Sequence, residues 1–262
     1  MISKDCYFIA ILSSEELALL RQPVVSVSDQ QVGLFKASFV FEKKSALNSI
    51  STAQADANKR AGGESDARMN RPDPSKNLPA KMRGFVRAAQ KSFQLGNYKA
   101  AEKQYQQILA EDPNNIDALS NLGVVYVRSG NLRSAESALK KAVAVAPDND
   151  FLLTTLGVIH YRQSKFDDAI VELTKAIAIN PKSATAHNYL GIAASQKGRQ
   201  QEAEQEILQA LANNPDDADA HFNLAVILIT TQPGSKELAR EHYARATALG
   251  IQPSPSLEKL LQ

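Results

Sequence analysis

Residues 116–149 read IDALSNLGVVYVRSGNLRSAESALKKAVAVAPDN, and the reading of this stretch decides the fold. Leu119, Leu122, Val125 and Tyr126 recur at helical spacing and define one amphipathic helix. Gly130 and Asn131 stop it in a tight turn. Leu132, Ala135, Leu139, Ala142 and Val143 then share one face of a second helix. Pro147 ends that helix, because proline disfavours helical geometry in the residue before it. Asp148, Asn149 and Asp150 offer side-chain oxygens to the unpaired amides of the next helix. Neither helix can bury its apolar stripe alone, so the pair predicts neighbours packed in register.

The chain supplies those neighbours. Gly123, Gly157 and Gly191 recur every 34 residues, as do Ala101, Ala135, Ala169 and Ala203, and Pro113, Pro147, Pro181 and Pro215. Three registers of small residues or proline locked to one period mark stacked helix–turn–helix units. They divide the chain into residues 82–115, 116–149, 150–183, 184–217 and 218–251. In the fifth unit Ala239 arrives two residues late, which places an insertion in the loop around Pro233 and Gly234. Residues 254–262 read as a short helix covering the apolar edge of the last unit. Gly123 and Ala135 are expected where the two helices of a unit cross most closely, and Ala142 against the following unit. A larger side chain there would cost about 1–3 kcal/mol through overpacking.

With these residues in view, the unit resembles a tetratricopeptide repeat. The family pattern runs from a bulky residue through Leu-Gly and Tyr to Ala, a bulky residue, Ala and Pro. Leu119, Leu122, Gly123, Tyr126, Ala135, Leu139, Ala142 and Pro147 fill it, and Leu153, Leu156, Gly157, His160, Ala169, Leu173, Ala176 and Pro181 follow suit. The next unit gives His187, Leu190, Gly191, Ala194, Ala203, Ile207, Ala210 and Pro215. The first unit departs with Ala89 for the glycine, and the fifth begins with His221, Leu224, Ala225 and Leu228.

The resemblance covers residues 82–262 and implies an all-α, right-handed α-solenoid of five tetratricopeptide repeats with a C-terminal capping helix. It further implies that the first helices of successive units line a concave groove. Asn121, Arg128, Val158, Tyr161, Arg162, Asn188, Ile192, Phe222 and Asn223 then form the peptide-binding set, with Val124, Thr154, Val226 and Ile229 beside them. Apolar patches, amides and two arginines one repeat apart suit an extended peptide or a helix. The clamp by which some family members hold chaperone tails is absent, since its places are taken by Val86, Gln90, Asn121, Phe151 and Thr155, or by Ser120, Val124, Thr155, Thr185 and Tyr189, or, shifted to the third repeat, by Thr154, Val158, Tyr189, Asp219 and Asn223. The implied function is a non-enzymatic scaffold or adaptor for a protein or peptide partner. The alternative is a regulatory or substrate-recruiting subunit whose catalytic site lies on another chain. The idealised repeat text has a bacterial style.

Other chemistry finds little support. The formal net charge of +2 is too small to point to nucleic acid. The single cysteine, Cys6, can form neither an internal disulfide nor a cysteine-based zinc site. No apolar run approaches the roughly 20 residues that span a bilayer. There is no phosphate-cradling glycine loop, HExxH or nucleophile elbow, so no catalytic residue, metal site or cofactor is expected. His187 and His221 hold one place in adjacent units, so their side chains are expected close together, as packing residues rather than ligands. His160, in the place of the family's tyrosine, reads as structural too. Asp167 and Asp168 open a second helix, and Asp216, Asp217 and Asp219 introduce a first helix, where negative charge complements the helix dipole.

The N-terminal 80 residues differ in kind. In residues 1–44, MISKDCYFIAILSSEELALL only faintly resembles a secretory signal, because Asp5 and the Glu15-Glu16 pair break the pattern. Cytoplasmic location is the default expectation. Ser14 to Leu20 reads instead as a short helix, and the loose alternation over residues 24–41 as a small β-hairpin. Residues 45–80, rich in Ser, Ala, Asn, Lys, Gly and Pro, read as a flexible linker.

Overall fold

The computed structural model describes residues 80–231 and 233–262. The helix, hairpin and linker expected over residues 1–79 lie outside the described residues. The rest is all helix: α1 (Ala80–Gln94), α2 (Tyr98–Glu111), α3 (Ile116–Arg128), α4 (Leu132–Val145), α5 (Asp150–Arg162) and α6 (Phe166–Ile179) come first. They are followed by α7 (Ala184–Gln196), α8 (Gln200–Asn213), α9 (Ala218–Thr231), α10 (Lys236–Ala248) and the short α11 (Pro255–Leu261). The displaced loop of the fifth unit contains a 3-10 turn, Pro233–Ser235.

Each boundary has a local cause. The helices opening the second to fifth units begin behind Asn115, Asn149, Ser183 and Asp217. Each of those side chains accepts a hydrogen bond from the amide three residues on, satisfying a donor that the helix cannot. The first helices end in Schellman turns: Asn131 N–H donates to the Tyr126 carbonyl, Lys165 to His160 and Arg199 to Ala194. That turn needs a left-handed residue, supplied by Gly96, Gly130 and Gly198 with φ of 72°, 79° and 78°. In the third unit the same place is held by Ser164 at φ 60°, a conformation that costs an L-residue energy.

Packing follows the sequence order. Every helix touches its chain neighbours, and α5 touches α7 as α7 touches α9. Within a unit the two helices meet at the glycine. A Cβ on Gly123 would lie 2.9 Å from Leu139 Cγ, one on Gly157 2.6 Å from Leu173 Cγ, and one on Gly191 2.6 Å from Ile207 Cγ1. Ala135, Ala169 and Ala203 are fully buried at the same crossing. In the first and fifth units Ala89 and Ala225 replace the glycine, and the bulky partner changes to Tyr105 and Tyr243. A flat ring leaves room for the extra methyl that a branched side chain would not.

Between units the join is apolar with polar reinforcement. Glu136, mostly buried on α4, takes Lys140 and Lys165 at 2.6 and 2.7 Å. Burial alone would raise its carboxyl, but hydrogen bonds from Lys140, Lys165 and Gln163 outweigh that and hold it at about 2. At the far end, α11 lays Leu257 and Leu261 into the cluster containing Ala225, Leu228 and Tyr243. Arg240 fixes α11 by donating from Nε to the Leu261 carbonyl at 2.7 Å.

Two substitutions of opposite sign test this account by thermal or urea unfolding. Ser164→Gly should raise stability by up to about 1 kcal/mol, by removing the left-handed strain. Gly191→Ala should lower it by about 1–3 kcal/mol despite alanine's better helix propensity, because the new methyl meets the Ala203 carbonyl oxygen at 2.9 Å. A stabilising Gly191→Ala would refute the close crossing.

Candidate functional site: the inner wall of the first helices

Three contacts trace the line along which the first helices meet. The Arg128 guanidinium on α3 lies 6.0 Å from the ring centre of Phe93 on α1. Tyr161 on α5 meets Tyr189 on α7 edge-on, with centroids 5.8 Å apart. Asn223 Nδ2 on α9 donates to Asn188 Oδ1 on α7 at 2.9 Å. These contacts join α1 to α3, α5 to α7 and α7 to α9, and so mark the side of the stack that the first helices line.

The residues named from the sequence divide into two groups on that wall. Asn121, Arg128, Arg162, Ile192 and Asn223 are half-buried, leaving part of each side chain at the surface, as do Val226 and Ile229. Val158 and Tyr161 are each 7% exposed, Asn188 5% and Phe222 3%, with Val124 and Thr154 also buried. Here the sequence expectation of open groove contacts needs correction. Tyr161 is closed between Phe166 and Tyr189, and Phe222 turns toward Tyr243 on α10. Their positions fall on the crossing lines between helices, so they shape the wall rather than face a guest.

The histidines pack within their own units. His187 and His221 do not bond to one another. Each ring sends Nε2 to the carbonyl of its own proline, Pro181 or Pro215, at 3.0 Å. His187 Nδ1 meets Glu206 at 2.7 Å, and His221 Nδ1 meets His242 Nδ1 at 2.9 Å. The pairing tracks the repeat, and each histidine ties a first helix to its own second helix. Burial, then the neighbouring His221, pushes the His242 imidazole below its ordinary value. Asp167 is taken by Lys197 and Asp216 by Arg245, while Asp217 caps α9. Among the described residues, no three histidine, cysteine or acidic side chains converge as a metal site would require.

Sequence reasoning missed the Asn188–Asn223 amide bond and the orphaned hydroxyl of Thr154. Thr155, Thr230 and Thr231 donate to carbonyls four residues back. Thr154 Oγ1, in a residue 8% exposed, finds no partner among the described residues. The asparagine pair was in principle legible, since the two stand in adjacent units one place out of register.

Fold and wall together define a helical-repeat scaffold, and comparison with known proteins agrees. Family models described as tetratricopeptide repeat match residues 92–154 and 201–254, and one described as TPR repeat matches residues 157–198. The chain belongs to the tetratricopeptide repeat family. Among solved structures, MamA of MSR-1 is 27% identical with a TM-score of 0.53, over 65% of this chain and 97% of that one. Pseudomonas aeruginosa PilF is 22% identical with a TM-score of 0.59, over 66% and 78%. MamA from Desulfovibrio magneticus RS-1 is 17% identical at a TM-score of 0.59, over 66% and 96%. These are likenesses of fold. No curated protein sequence matches the chain. In the general sense of its family, the protein is a protein-interaction scaffold. No helix among the described residues is long and apolar enough to cross a membrane.

The Thr154 hydroxyl tests how the wall is built. An unpaired buried hydroxyl costs folding energy, so Thr154→Val, of nearly the same shape, should leave stability unchanged or raise it by about 1 kcal/mol. A loss larger than about 1 kcal/mol on urea unfolding would mean that the hydroxyl has a partner.

Proposed function

We propose that the protein is a non-enzymatic adaptor that holds an extended segment of a partner along this inner wall. The observation that carries the reading is the half-open row formed by Asn121, Arg128, Arg162, Ile192 and Asn223. These residues offer amides for a peptide backbone, guanidinium groups for acids and an apolar contact, on helices fixed by close packing from behind. The crevices on the outer surface are poorer candidates. The better enclosed of them, between α2, α3 and α4, has a volume of about 270 Å³ and is lined by Leu109, Leu119 and Leu122. A wall of five first helices from consecutive units suits a long partner segment, and micromolar affinity, about −8 kcal/mol, suits assembly and exchange.

The test is crosslinking capture of partners with the full chain, comparing the natural protein with Arg162→Glu and Ile192→Glu. Both sites are half-buried, so the helical circular dichroism should persist while the captured partner is reduced about tenfold or more. Capture unchanged in both variants would remove the inner wall from the proposal. Phe222 is a poor probe, because its loss would open a cavity in the core.

A further inference from the structure

Several cations on this molecule are paired. Lys140, Lys165, Lys197, Arg240 and Arg245 each meet a carboxylate within ion-pairing distance. Arg162 does not. It is half-buried at the end of α5, and no hydrogen-bond or ion-pair partner reaches it among the described residues. A partly desolvated guanidinium without an acceptor is a cost that an anionic guest would repay.

Arg162 is also part of a pattern. Along the five first helices the equivalent positions are Gln94, Arg128, Arg162, Gln196 and Thr230. Positive charge is thus confined to the second and third units, with neutral polar residues on both sides. One helical turn earlier the row reads Gln90, Val124, Val158, Ile192 and Val226, in which the valines beside the two cations are buried and Ile192 and Val226 are partly open. Arg128, held over Phe93, belongs to the same line.

Among the first helices α5 packs on α7 and α7 on α9, packed helices stand about 8–10 Å apart, and the 34-residue repeat sets α3 beside α5 at a comparable step. A polyproline II segment advances about 9 Å per turn of three residues, so side chains three apart return to one side at that interval. We propose that the inner wall selects an extended, polyproline II-like segment carrying two acidic residues three positions apart, seated on Arg128 and Arg162. Its apolar side rests on Ile192 and Val226. The inference rests on the inner-wall reading above and adds the chemistry of the guest. Charge complementarity distinguishes it from an uncharged or basic segment.

The test uses the full chain and fluorescein-labelled proline-rich peptides, which hold the polyproline II form in solution. One peptide has two glutamates three apart, a second has glutamines there, a third has lysines, and a fourth has the glutamates adjacent. The first should bind at least about tenfold more tightly than the others by fluorescence anisotropy, and more weakly as salt is raised. Arg162→Gln and Arg128→Gln should each remove about a tenfold share of that preference, with unfolding midpoints confirming that both variants fold. Equal binding of all four peptides, abolished by Ile192→Glu, would overturn the acidic preference while leaving the inner-wall reading in place. Glutamate-peptide binding indifferent to both arginine variants, or no binding by any peptide, would overturn the inference. The inner-wall reading then stands or falls by the capture experiment.

Discussion

The close crossing of two helices at a residue without a side chain is the constraint on which the rest depends. At Gly123, Gly157 and Gly191 the space a methyl would need is already filled by Leu139, Leu173 and Ile207. The contact sets how near the two helices of a unit lie and so how steeply they cross. Repetition of that geometry every 34 residues brings the first helices side by side. The inner wall is a consequence of this arithmetic, with no further device needed to align it.

The two ends of the stack obey the constraint in another form. In the first and last units alanine takes the glycine's place, and tyrosine takes that of the branched aliphatic residue. Tyr243 then gains a second role, since its hydroxyl accepts from the Ser254 amide at 2.7 Å and donates to Glu258 at 3.1 Å. The residue that closes the last crossing thereby also positions the capping helix. Its Tyr105 counterpart in the first unit carries a buried hydroxyl with no hydrogen-bond partner among the described residues.

Much of the fold was legible because its signals are periodic. Glycine, alanine and proline registers gave the units, the delayed Ala239 gave the loop insertion, and Asn149 was expected among the capping oxygens and is the cap. The site was legible only in part. Spacing tells which helix face a residue occupies, but not how far the neighbouring helix covers that face. Asn121, Arg128 and Arg162 remain partly open, while Tyr161, Asn188 and Phe222 at equally plausible places are shut between helices. The histidines illustrate the same limit. Their shared register placed them alike in adjacent units, but the proline carbonyls to which they bond could not be read from it. Hydrogen bonds to backbone leave no trace in side-chain spacing.

If stability is shared between neighbouring units, damage at one crossing must be felt next door. Native-state hydrogen exchange of Gly157→Ala, set against the natural protein, measures this directly. The account predicts that amide protection falls in α5 and α6 and also in the flanking α4 and α7, decaying toward both ends. Loss confined to α5 and α6, or protection unchanged throughout, would contradict it.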